Sequence, residues 1–71
     1  MQLVQTKITR KQFGQCKQYL VEIGSYGDDF PYMYAIARTR KDAEDWLLRH
    51  CRKFGKDVVF SMPDNTLATF N

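Results

Sequence analysis

Asp28 and Asp29 stand side by side within GSYGDDFPYMY (Gly24–Tyr34), among four aromatics, two glycines and a proline. Two carboxylates serve as general acid and base only when both face one substrate and their surroundings drive their pKa values apart. Neighbours in an exposed loop do not meet that condition. Asp favours turns because its carboxylate accepts nearby backbone N–H bonds, so a turn is the expectation. His50 is the only histidine. On a helix it falls near Trp46, Leu47 and Phe54, which suits a largely buried, hydrogen-bonded imidazole. A catalytic role would pair it as base with Cys16, and nothing beyond the presence of one of each supports that. Cys16 and Cys51 form no C-x-x-C pair. With His50 they give at most three soft ligands, fewer than the four of a structural zinc site. Two buried free thiols are expected, since a disulfide would need an oxidising compartment. The chain has no glycine-rich phosphate loop and no G-x-S-x-G. It reads as a non-enzymatic protein with no metal and no cofactor.

The elements that position these residues follow from spacing. From Arg40 to Phe54, the residues Ala43, Trp46, Leu47, Cys51 and Phe54 make one helical stripe. Thr39 is a good N-cap, acids crowd the first turns, cations crowd the last, and Gly55 supplies the stop. Asp45 and Arg49 have the spacing of an ion pair. DVVFSM, the turn PDN and TLATF make a hairpin over Asp57–Phe70. YMYAIAR is a strand that runs into the Thr39 cap. In LVQTKIT, Val4, Thr6 and Ile8 alternate with Gln5 and Lys7, the pattern of a half-buried strand. Residues 10–23 admit two readings. A helix would have a Thr9 cap and a stripe of Phe13, Cys16, Tyr19, Leu20 and Ile23. A strand would set Tyr19, Val21 and Ile23 on one face. Gly14 in a helix interior costs about 1 kcal/mol and YLVEI prefers extended structure, so the strand is preferred. GSYGDDFPY is then a hairpin tip, with Gly24 and Gly27 lending conformational freedom. The fold class is α+β: a small, mostly antiparallel sheet of four to five strands with one helix on one face, in the order β-β-β-α-β-β. The alternative is β-α-β-α-β-β.

Seventy-one residues make one domain, near the lower limit for a hydrophobic core unaided. Such a domain gains stability from a homodimer or a partner. At 44% apolar and 27% charged, the chain is too apolar for disorder. The net charge of +3 permits nucleic acid or an acidic protein as partner and demands neither. No apolar run is long enough to span a membrane, and MQLVQTKITR lacks the apolar region of a signal peptide. A cytoplasmic protein is therefore expected, in the host cytoplasm if it is phage-encoded.

The aromatics carry the functional expectation. One helix covers one face of a sheet. Alternation puts Met33, Ala35 and Ala37 on one face and Tyr32, Tyr34 and Ile36 on the other. With the helix over the alanines, Tyr32 and Tyr34 lie open, joined by Tyr19. The first reading is a protein-binding module that docks on a protein or nucleoprotein assembly through Tyr26, Asp28, Asp29, Phe30, Tyr32 and Tyr34. The second is a nucleic-acid binder that stacks bases on Tyr19, Tyr32 and Tyr34 beside Arg38, Arg40, Arg49, Arg52 and Lys53. Asp28 and Asp29 would repel a phosphate backbone, which favours the first. No motif names a family. The layout looks like that of small phage or mobile-element proteins that block a host machine, such as anti-CRISPR proteins and phage inhibitors of RNA polymerase. That likeness is one of architecture alone, and it implies binding by obstruction.

Overall fold

Residues 10–23 are extended, and Gly14 is the reason they can be. In this computed structural model, which describes residues 2–70, β1 (Gln2–Phe13) and β2 (Cys16–Ser25) form one long antiparallel hairpin. Gly14 takes φ 61° at the first turn position, where two-residue turns that match the strand twist demand positive φ. The glycine that disfavoured a helix is the residue that turns the chain. β3 (Pro31–Ala37) returns along β2, α1 (Arg40–Cys51) crosses the sheet, and β4 (Val58–Ser61) and β5 (Leu67–Ala68) complete it. The strand order is β3-β2-β1-β4-β5, antiparallel except where β4 lies parallel to β1. The fold is therefore the expected α+β arrangement, β-β-β-α-β-β.

Alternation selects the core. Val4 and Thr6 of β1 are buried and Ile8 is half-buried. Val21 and Ile23 face the same side from β2, Val58 and Phe60 from β4, and Ala43, Leu47 and Cys51 close the core from α1. Phe54 and Phe70 each pack edge-on against Phe60 at 5.5 Å. The buried Thr6 hydroxyl donates to Ser61 O at 2.9 Å, so the polar group is satisfied and β1 is tied to β4. Ala37 and Met33 also pack against this core, as the small side chains of β3 allow. Thr39 caps α1, its Oγ1 accepting from Asp42 N–H at 3.1 Å.

Several local features differ from expectation. α1 ends at Cys51 rather than Phe54. Lys53 N–H and Phe54 N–H turn to the carbonyls of His50 and Cys51, three residues back, a tightened last turn that releases Phe54 toward Phe60. The Asp45–Arg49 pair does not form. Asp45 instead meets Lys41 at 3.9 Å, and Arg40 meets Glu44 at 4.0 Å. Both pairs are exposed and add little stability. Trp46 is half-buried and stacks on His50, with centroids 4.0 Å apart, so Leu47 is the buried anchor of the helix. The C-terminal hairpin is shorter than Asp57–Phe70. Its loop places Asn65 at φ 69°, with Asn65 N–H donating to Met62 O and Met62 N–H to Thr66 O, both at 2.8 Å. This is a three-residue turn with a left-handed last position. The Thr66 hydroxyl, and then its N–H, donate to Asp64 and hold that carboxyl below its ordinary value. No helix among the described residues is long and apolar enough to cross a membrane.

Candidate functional site

The β2–β3 loop is held by defined turns. Asp28 N–H donates to Ser25 O at 3.0 Å and Gly27 sits at φ 82°, the positive-φ position of a type II turn. Asp28 Oδ1 accepts from Phe30 N–H at 3.4 Å, the local bond expected of a turn aspartate. Gly27 N–H reaches Gln5 Oε1 at 3.5 Å. Asp28 and Asp29 line a shallow cleft with Gln5, Lys7, Glu22 and Gly24, residues on the sheet face away from the helix. The acidic tip thus bends over the open face. Tyr26 and Phe30 project beside it, Phe30 with 81% of its surface exposed.

Tyr32 is not where alternation along β3 puts it. Ile23 pairs with Met33 but Gly24 pairs with Pro31, so Tyr32 is the extra residue of a β-bulge. Its hydroxyl hydrogen-bonds with Ser25 Oγ, accepts from Gln2 Nε2 at 3.4 Å, and its ring lies 6.5 Å from Phe54. Ser25 and Gln2 share the parity of buried Ile23 and Val4, and Phe54 packs on the core. Tyr32 has therefore turned to the helix side. Gly24 permits this approach: a Cβ there would stand 2.9 Å from Pro31 Cα and 3.1 Å from Phe30 O. Its role is space, not the conformational freedom that composition suggested.

Tyr19 also faces the helix side. It pairs with Ala37, packs against the core and lies beneath the Arg10 guanidinium, 5.8 Å from the ring centroid. Of the three tyrosines expected to share the open face, only Tyr34 is there. The cations expected beside them are divided. Arg38 and Arg40 stand at the start of α1 and Arg49, Arg52 and Lys53 at its end, a helix length of about 18 Å apart. The stacking platform inferred from sequence is not assembled.

The open face carries exposed apolar side chains on β3 and on β1 and β5, with Gln5, Lys7 and Glu22 between them. Tyr34 is 66% exposed and Ile36 48% on β3, Leu67 is 68% exposed on β5, and Leu3 is exposed on β1. Leu20 and Val59 lie half-buried between them. Lys7, Glu22 and Tyr34 form one cross-strand row through the middle. Leu3 alternates with buried Val4, and that alternation is the sequence signal for its face. Leu67 takes its face from its partner Ser61, which no local pattern encodes.

The thiols and the imidazole do not meet. Both cysteines are free. Cys16 is exposed at the far turn of the β1–β2 hairpin, opposite Phe13, contrary to the buried thiol expected. Cys51 is buried, and desolvation raises its pKa to about 11. His50 is half-buried, with Nδ1 2.9 Å from Trp46 O. Among the described residues, no three His, Cys, Asp or Glu side chains converge as a metal site would need. Comparison of the chain with protein-family models, with characterised proteins and with solved structures finds no match.

Proposed function

We propose that this chain is a non-enzymatic docking module that binds a protein surface and thereby blocks or regulates a larger assembly. The observation that carries this reading is the uncovered sheet face, with Leu3, Tyr34, Ile36 and Leu67 exposed on three strands. Exposed apolar side chains on one face, Tyr34 and Ile36 on β3 and Leu3 and Leu67 on β1 and β5, with Tyr26 and Phe30 at its margin, fit an interaction surface better than a solvated one, and tyrosine is a favoured interface anchor. Asp28 and Asp29 give the tip end of this face a negative edge. The complementary partner is an apolar protein patch with cations on its rim.

The test compares capture from a lysate by three tagged proteins, with and without nuclease: wild type, Tyr34→Ser with Ile36→Ser, and Asp28→Lys with Asp29→Lys. All changed residues are exposed, so melting temperatures should stay close. The proposal expects one nuclease-resistant protein partner, held by wild type and lost or weakened at least tenfold in both variants. A partner retained by both variants, or recovery that vanishes with nuclease, overturns it.

A further inference from the structure

A second surface lies at the far end of the β1–β2 hairpin and does not depend on that reading. β3 pairs along β2 only as far as Tyr19, and β4 pairs along β1 only between Gln2 and Gln5. Beyond them, the segment Arg10–Gln18 is a bare two-stranded ribbon held by its own ladder. Its three pairs, Lys11 with Gln18, Gln12 with Lys17 and Phe13 with Cys16, at about 3.4 Å per residue give it a reach of roughly 10 Å. The molecule is correspondingly elongated, 41 Å against 22 and 19 Å.

The ribbon carries Arg10, Lys11 and Lys17 around a neutral tip, Gln12–Cys16, and no acid. Residues 2–21 contain Lys7, Arg10, Lys11 and Lys17 and no aspartate or glutamate. Among the described residues, none of these four has a carboxylate within 4.0 Å. Register distributes the charge over both sides. Arg10 and Lys17 share the parity of the core-facing residues, and Lys11 that of the open face. Arg38 follows directly on Ala37, the partner of Tyr19 at the ribbon's base.

From this geometry we infer that the β1–β2 arm enters the major groove of B-form DNA, with Arg10, Lys11 and Lys17 contacting the phosphates. Two strands lie about 4.8 Å apart, and a B-DNA major groove about 12 Å wide admits such a ribbon. Its depth of about 8.5 Å is within the arm's reach. Cations on both ribbon faces match phosphate walls on both sides of a groove. A protein patch would leave one charged face in water. The deep, narrow major groove of duplex RNA excludes a ribbon of this width. Gln15 and Gln18, exposed or half-exposed near the tip, supply amides able to address base edges.

Fluorescence anisotropy tests this with a labelled DNA duplex of about two helical turns, titrated between about 50 and 200 mM salt. Three phosphate contacts at about 0.9 counterion each predict a slope of log K on log salt near −3, roughly a 40-fold loss over that range. Arg10→Gln with Lys11→Gln and Lys17→Gln should flatten the slope by 2 to 3, about 0.9 per cation. Arg49→Gln with Arg52→Gln and Lys53→Gln removes the same charge from the far end of α1 and should leave the slope unchanged. Arg10 touches Tyr19, so Lys11→Gln with Lys17→Gln is the second variant, expected to flatten the slope by about 2. The inference is overturned by equal slopes for the arm and helix variants, by equally tight binding of duplex RNA or single-stranded DNA, or by no measurable DNA binding.

Discussion

Gly24→Ala isolates the contact that places Tyr32. Gly24 is outside the positive-φ region, so alanine is compatible with its backbone. The substitution alone would stabilise the fold by about 0.4–1 kcal/mol, through lower unfolded-state entropy. Against this stands the new Cβ, 2.9 Å from Pro31 Cα and 3.1 Å from Phe30 O. Both neighbours are backbone atoms of the bulged strand and cannot rotate away. Overpacking of this kind costs about 1–3 kcal/mol. The net expectation is a loss of about 1–2 kcal/mol, which in a domain of this size lowers Tm by roughly 4–16 °C. Thermal unfolding followed by circular dichroism measures it. A nuclear Overhauser contact between the Tyr32 and Phe54 rings reports the bulge directly and should weaken. A higher Tm would refute the close approach, because the entropic gain would then be acting unopposed.

Maleimide at neutral pH should label Cys16 quickly and Cys51 only at the rate of unfolding, as mass spectrometry of the intact protein would reveal. Burial raises the Cys51 pKa from 9.0 to about 11, so the folded state holds the thiol proton more tightly than the unfolded state. That contribution is complete below pH 9 and is lost as pH rises toward 11, an expected fall of about 3 kcal/mol in Cys51-dependent stability, measured by urea denaturation against Cys51→Ala. Leu47→Ala should cost about 3 kcal/mol, and Trp46→Ala clearly less because that ring is half-buried against His50; urea unfolding of the two variants ranks them. Thr39→Ala should cost about 1 kcal/mol, measured the same way, with the helix otherwise intact.

The features legible in the sequence are those set by local chemistry. Thr39 and the stripe through Ala43, Leu47 and Cys51 announce a helix because cap and periodicity agree. Val4, Thr6 and Ile8 announce a half-buried strand because one alternation fits one face. The two sides of β3 were separable for Tyr34, Ile36, Ala35 and Ala37. The misassigned features depend on residues distant in the chain. Tyr32 changes face because Gly24 lets Pro31 approach, a contact no alternation rule encodes. Tyr19 has the parity assigned to it but needs the helix's side of the sheet to give that parity meaning. Cys16 is exposed because β1 and β2 outrun their neighbours, and the lengths of those neighbours are not written in the hairpin itself. The same overrun leaves Arg10, Lys11 and Lys17 on a free arm, where composition showed only a mild basic bias.

The single parallel pairing also governs how the chain can assemble. β1, β2 and β3 are joined by short turns and can zip together from contacts close in sequence. β4 must find β1 across more than fifty intervening residues, with Thr6 reaching Ser61. Loop closure over that span precedes any gain from burying Val58 and Phe60. The meander with α1 is therefore expected to form first and to remain loosely packed, its core short of Val58 and Phe60. Arrival of the segment after Asp57 is then the step expected to set the folding rate, so damage to the β1–β4 seam should slow refolding more than damage to the β1–β2 turn.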